Sequence, residues 1–147
     1  MDETTYRNRT NTINKVVVGL QRVGIAFGPM QLLTVKGRRS GRMLTFPIAV
    51  NKLRGGRYIF QAFPKASWVA NARAADTVTL TRGRKASTAR LTEIPVAERG
   101  PLLRELVTSS PSSVGNRFVT TGLAEAPTPD GVAAAAGRIA VFRVDPV

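Results

Sequence analysis

Ile13, Val16, Val17, Leu20, Val23 and Phe27 recur at helical spacing, while Lys15, Arg22 and most of the polar residues before them fall on other faces. The pattern predicts an amphipathic helix from about Thr4 to Ala26, closed by Gly28-Pro29, in an N-terminal unit spanning 1–28. Valine is a mediocre helix former, so packing must stabilise it. Two partners suit the apolar stripe: a sheet of the same chain, or an anionic membrane surface met by Arg7, Arg9, Lys15 and Arg22.

Beyond Pro29 the period shortens. Met30 to Lys36, Leu44 to Leu53, Arg57 to Phe63, Asp76 to Arg82, Ala86 to Ile94 and Ile139 to Val144 read as strands, with turn chemistry at Gly37 to Arg42, Arg54-Gly55-Gly56 and Gly83-Arg84-Lys85. Ser67 is placed to cap a short helix running to about Ala75, and Leu102, Leu103, Leu106 and Val107 set a second over Ala97 to Ser109. From Ser109 to Gly137 the chain is rich in Ser, Pro, Gly, Thr and Ala, which predicts a flexible cover over 109–137 or a mobile connection. About six strands, mostly hairpin-connected, and about three helices make an α+β fold with an antiparallel, barrel-like sheet flanked by helices. With no linker or internal repeat, 1–147 is one domain with a barrel core at 30–108 and a closing strand at 138–147.

Composition narrows the chemistry. Cysteine and histidine are both absent, which excludes disulfides, thiolate metal sites, and any triad or metal mechanism that needs imidazole. An enzyme built from these residues must borrow its chemistry from a cofactor or from carboxylates. The 22 Lys+Arg against 9 Asp+Glu give a formal charge of +13, so the partners to expect are anionic: nucleic acid, an acidic membrane surface or a polyanionic small molecule. Met1 to Thr12 is polar and the following apolar run is broken by Gln21 and Arg22, unlike a signal peptide. The default is a cytoplasmic protein, with peripheral contact at the inner membrane face as the variant.

The most specific segment is Gly37-Arg38-Arg39-Ser40-Gly41-Arg42, which joins two predicted strands. Its glycines allow positive φ and close backbone approach, Ser40 adds a hydroxyl, and the arginines offer bidentate donors to phosphate or carboxylate. A turn built this way should hold an anion. Further on, Ala62-Phe63-Pro64-Lys65-Ala66-Ser67-Trp68-Val69-Ala70-Asn71 places the single tryptophan where a strand gives way to a helix.

Together these residues are similar to a known family. Leu-Leu-Thr-Val-Lys-Gly-Arg-Arg-Ser-Gly (Leu32 to Gly41), Pro47, Gly55-Gly56-Arg57-Tyr58-Ile59, then Lys65, Trp68 and Asn71 followed by Ala75 and Val78, resemble the deazaflavin-dependent nitroreductases. These are split β-barrel proteins of the FMN-binding type, related to the pyridoxamine-phosphate-oxidase group. The resemblance covers roughly Met30 to Leu106 and implies coenzyme F420 as cofactor, with FMN the less favoured alternative. That cofactor's tail carries a phosphodiester and a glutamate chain. By resemblance Lys36, Gly37, Arg38, Arg39, Ser40 and Gly41 clamp the tail, and Ala62, Phe63 and Pro64 border the deazaflavin ring. Lys65 reaches phosphate or ring, Trp68 walls the pocket, and Pro47 and Asn71 complete the set. The implied reaction is hydride transfer to an electron-poor small molecule: a quinone, an activated double bond or a nitro compound, some of them lipid-soluble. No tyrosine lies beyond Tyr58, where such enzymes carry several, so the proton donors to consider are Ser112, Ser113, Asn116 or bound water.

Two other functions use the same residues differently. One is a basic barrel that binds nucleic acid through Arg38, Arg39, Arg42, Arg82, Arg84, Lys85 and Arg90, although aromatic stacking partners are few. The other is a non-catalytic protein that sequesters the deazaflavin or an apolar ligand. Either a monomer or a homodimer fits the sequence.

Overall fold

The computed structural model describes residues 30–147. The amphipathic helix expected within 1–28 lies outside the described residues. Among them are seven strands and four α-helices, against about six strands and two helices that the sequence pattern predicts for that span.

Strand β1 (Met30–Lys36) turns through the arginine segment into β2 (Met43–Ala49). The expected single strand from Leu44 to Leu53 is two, because Val50 ends one pairing and β3 (Asn51–Leu53) begins another. Arg54 and Gly55, at φ 49° and 78°, form the two-residue turn into β4 (Gly56–Phe60). Helix α1 (Ser67–Ala74), the hairpin β5 (Val78–Arg82) and β6 (Lys85–Glu93), helix α2 (Val96–Ser109), helix α3 (Ser112–Thr120), helix α4 (Pro129–Ala133), a 3₁₀ turn (Ala136–Arg138) and β7 (Val141–Pro146) complete the order. Ser67 is the first helical residue of α1; Ala66 holds the cap position and makes no side-chain capping bond.

All neighbouring strands are antiparallel, in the order β2-β1-β5-β6-β7-β4-β3. The two ends of that order, β2 and β3, are separated in the chain by Val50 alone. The sheet therefore curls until its ends meet at one residue, as a split barrel does. Pro47, which cannot donate to a ladder, sits on β2, where only β1 needs a partner.

Alternation along β4 and β7 sends side chains to two apolar clusters. Ile59, Phe142 and Val144 join Leu33, Val35, Leu80, Trp68 and Val69 on one side. On the other, Val141 joins Leu53, Ile94, Leu103, Phe118, Val132 and Ile139, with Tyr58 and Phe60 packed against them. Residues 110–137, whose composition suggested a cover or a mobile connection, build much of this second cluster: Phe118, Leu123, Ala124, Val132, Ala133 and Ala135 are all buried. Small residues there serve close approach. A Cβ at Gly115 would lie 2.2 Å from the Pro127 carbonyl oxygen, and one at Gly131 would lie 2.7 Å from Ala126.

Buried Arg99 links the layers. Its guanidinium donates to the carbonyls of Ile94 (2.8 Å), Ala136 (3.0 Å) and Ile139 (3.2 Å), and to Glu93 Oε2 (3.1 Å). Glu93 in turn accepts from Arg73 Nη2 at 2.6 Å and Nε at 2.9 Å, so one carboxylate ties α1 to α2 across β6. No helix among the described residues is long and apolar enough to cross a membrane.

Two outcomes follow from this packing. Hydrogen bonds from Arg73 hold the Glu93 carboxyl below its ordinary range, and the Arg143 and Thr92 side chains do the same for Asp145. Both groups bind a proton more weakly folded than unfolded, so their stabilisation is complete above the unfolded value and disappears as pH falls through the lowered one. Thermal melts should drop on acidification through the carboxylate range, and Glu93→Gln should melt lower at neutral pH with a shallower acid loss. An unchanged acid slope would remove Glu93 from the account. Gly115→Ala should cost about 1–3 kcal/mol, because helix α3 must back away from Pro127, and a urea titration reads this directly.

Candidate functional site

The arginine turn owes its shape to backbone bonds. Gly37 N donates to Arg42 O at 2.7 Å, and Gly41 N donates to Gly37 O at 3.0 Å. Ser40 Oγ accepts from Arg42 N at 3.2 Å. Gly41 has φ +73°, a left-handed value suited to glycine. Gly37 serves proximity instead: a Cβ there would sit 2.7 Å from Ser40 Oγ and 3.3 Å from Arg42 O.

Asn71 fixes the turn to the rest of the molecule. Only 2% exposed, its Oδ1 accepts from the Arg38 backbone N–H at 3.2 Å and from Arg38 Nη1 at 2.8 Å. Helix α1 thus holds the turn at one point. Arg39, Ser40, Gly41 and Arg42 remain exposed beyond it.

The segment before α1 is held as firmly. Gln61 continues the pairing of β4 with β7: its N–H donates to Ala140 O at 2.9 Å, and its Oε1 accepts from Ala140 N at 3.0 Å. Its Nε2 donates to Phe63 O at 2.8 Å. The strand expected to reach Phe63 ends at Phe60 because Gln61 takes over the ladder with its side chain. Lys65 follows with φ 57°, a left-handed conformation that costs a residue with a Cβ about 1 kcal/mol or more. Such strain persists where the surroundings impose it, and it accumulates at binding sites.

Three clefts run along these elements. The first, about 270 Å³, is walled by Phe46, Pro47, Phe60, Ala62, Phe63, Pro64 and Trp68, with Lys65 and Arg117 as its charged members. The second, about 340 Å³, is lined by Arg38, Gln61, Lys65, Ser67 and Arg73 and shares Lys65, Ala66 and Ser67 with the first. The third, about 540 Å³, shares Arg38 with the second and adds Lys36, Gly37, Met43, Asp76 and Thr77. An apolar recess therefore leads into a cationic channel. Among the described residues, Asp76 is the single acidic side chain in the three walls. Arg73 is paired with Glu93, leaving Lys36, Arg38 and Lys65 to set the sign of the channel.

Most residues singled out in the sequence come together here. Pro47, Ala62, Phe63, Pro64, Lys65 and Trp68 share one cleft; Lys36, Gly37 and Arg38 share another. Trp68 is both core and wall, 7% exposed and tilted against Phe142 at 5.6 Å between ring centroids. Asn71 lines none of the three clefts but anchors Arg38. Ser112, Ser113 and Asn116 are exposed on α3 and lie outside the walls, whereas the next residue, Arg117, lines the first cleft. Phe46, Gln61, Arg73 and Arg117 escaped the sequence reading. Nothing local distinguishes them from other strand or surface residues, since their roles come from tertiary contacts.

The family model for F420H(2)-dependent quinone reductase matches residues 5–123, more than half of the chain. No curated protein matches. Among solved structures, one described as an F420-H2 dependent reductase, FDR-A, is similar with a TM-score of 0.52 and 22% identity, covering 80% of this chain and 94% of that one. Another, described as a domain-swapped dimer, is similar with a TM-score of 0.50 and 19% identity, covering 93% of this chain and 99% of that one. At these identities the likeness is one of fold.

Asn71→Ala tests the anchoring role. It leaves the Arg38 N–H without its buried acceptor, a loss of about 1–3 kcal/mol, and amide exchange at Arg38 should quicken more than exchange in β5. Equal protection of the Arg38 amide in both proteins would show that the turn holds itself.

Proposed function

This chain belongs to the F420H(2)-dependent quinone reductase family and is an oxidoreductase whose cofactor is coenzyme F420, and we propose that the three joined clefts hold that cofactor. The observation that carries this reading is the order of the surfaces: an apolar recess beside Trp68 passes at Lys65 into a channel lined by Arg38 and Lys36. A flat ring with a long anionic tail has that same sequence of polarity.

The residues fit the group. Lys36, Arg38 and Lys65 supply charge-assisted donors for phosphate and carboxylate, with Arg39, Ser40 and Gly41 exposed on the same turn and Gly37 buried at its base. The bare Cα of Gly37 leaves the turn compact enough to present those donors together. Ala62, Phe63 and Lys65 offer backbone N–H groups beside the recess; Pro64 has none to offer. Gln61 keeps them in place.

When bound, the deazaflavin supplies a hydride, which removes the need for a histidine or cysteine in the protein. The protein's part is placement and exclusion of water. Phe46, Pro47, Phe63 and Trp68 cover an aromatic surface, and Lys65 and Arg117 supply positive potential where negative charge develops. The acceptor is a small electron-poor molecule, with a quinone favoured over a nitro compound by the family and by the lack of tyrosine among the described residues of the cleft. A nucleic-acid role is less well served. Trp68 is buried, and Phe46 packs against the barrel core, so little aromatic surface is left on which to stack bases.

Arg38→Ala combined with Arg39→Ala should weaken deazaflavin binding by about tenfold or more, as expected when charge-assisted bonds to a tail are lost. Fluorescence titration of the cofactor measures it, with a thermal melt to confirm folding. Undiminished affinity in a folded double variant would place the tail elsewhere.

A further inference from the structure

We propose that Arg117 is the acceptor-side anchor of the cleft and that it selects quinones carrying an ionised ring oxygen. The proposal rests on the function proposed above. Arg117 comes from α3, in the helical layer, and among the described residues is the only one of that layer to line the first cleft. It lines neither of the two clefts assigned to the cofactor tail.

Arg117 is exposed, and its surroundings leave its guanidinium open to a ligand. Arg54, Arg73, Arg99, Arg104 and Arg143 each meet a carboxylate within 3.1 Å. Among the described residues Arg117 meets none, and the cleft it faces contains no acidic side chain. The other walls of the cleft include Phe46, Phe60 and Phe63, whose rings offer no counter-charge. A guanidinium at the edge of an aromatic slot matches an aromatic acceptor whose oxygen bears negative charge.

The helix that carries it is fixed in place. Gly115, two residues earlier, packs so tightly on Pro127 that no side chain fits. Phe118, the next residue, is 4% exposed in the second apolar cluster. Beyond them, Thr121 N donates to Arg117 O at 2.9 Å and Leu123 N donates to Phe118 O at 2.9 Å, closing the helix. The charge is delivered from a rigid support, which is what discrimination by position requires.

The balance of the step gives the cation its use. A C–H bond of the reduced cofactor breaks and its electron pair passes with the hydrogen to the quinone, which gains a negative charge shared by its oxygens. Solvent would balance the protons, taking one as the deazaflavin is oxidised and returning one to the acceptor oxygen to complete the hydroquinone. Arginine holds its proton throughout, so Arg117 stabilises the oxyanion without donating to it. An acceptor that begins as an anion meets the same guanidinium in the ground state and binds more tightly for it.

The test compares the wild-type protein with Arg117→Met and Arg117→Lys. Lawsone, a hydroxynaphthoquinone that is an anion at neutral pH, is set against menadione, its uncharged methyl analogue. Because Trp68 is the single tryptophan and lines this cleft, quenching of its fluorescence reports quinone binding without turnover. Arg117→Met should weaken lawsone binding by about tenfold and menadione binding by less than about threefold, as loss of one charge-assisted contact predicts. Arg117→Lys should restore most of the preference, and salt should weaken it in the wild type. Equal losses for both quinones, or a fall in deazaflavin affinity with the quinones unaffected, would overturn the proposal. Failure of the wild type to bind deazaflavin would instead defeat the cofactor reading, and lawsone quenching would still judge Arg117.

Discussion

Val50 imposes the constraint on which this fold depends. The strands on either side of it occupy opposite ends of the sheet order, so the curl of seven strands must bring those ends together within one residue. Register across the whole sheet is then set from both directions, by the β1–β2 hairpin and by the β3–β4 hairpin. A slip of one residue anywhere would turn an apolar face outward. The first cleft opens beside this closure, with Phe46, Pro47, Ile48 and Ala49 on its wall. The site thus lies where the sheet is least free to change shape.

Helix α1 converts that rigidity into a binding geometry. At its first residues it follows the Gln61-clamped loop; near its end Asn71 grips the arginine turn, and Arg73 reaches Glu93. Three otherwise separate pieces of chain are referred to one short helix. Because Glu93 also meets Arg99, the helical layer behind β7 is tied to the same frame. This matters for Arg117, whose position depends on that layer while its side chain faces the cleft in front.

Much of this was legible in the sequence, for physical reasons that differ by element. Met30 to Lys36 and the glycine-containing turns are local signals, and the structure has that strand with the same ends and turns at all three places. The Leu44 to Leu53 run contains no signal for its break, since Val50 is an ordinary strand residue and only the change of pairing partner interrupts it. The stretch from Ser109 to Gly137 misled for a subtler reason. Glycine and alanine lower the hydrophobic content of a segment and suggest mobility, yet here they permit helices to approach within a distance that larger residues forbid. Composition cannot separate a segment too small to pack from one small in order to pack closely. Gln61, Asn71 and Arg117 show the same limit at the site. Asn71 is legible only through its place in the family's spacing of motif residues, whereas Gln61 and Arg117 have no local mark at all.

The absence of histidine and cysteine is a statement about how the chemistry is divided. Hydride transfer requires no titrating side chain if the donor is a bound cofactor, and the remaining demand is electrostatic: an environment already arranged for the charge that arrives on the acceptor. The first cleft meets that demand with two cations, Lys65 and Arg117, set at the border of aromatic walls. Lys65 is held in a left-handed conformation by the loop before α1, and Arg117 is carried by a helix pinned at Gly115. Neither cation is placed by its own sequence neighbourhood. Each is positioned by a separate part of the fold, one by the barrel and one by the helical layer, so the polarity of the cleft exists only when both have assembled.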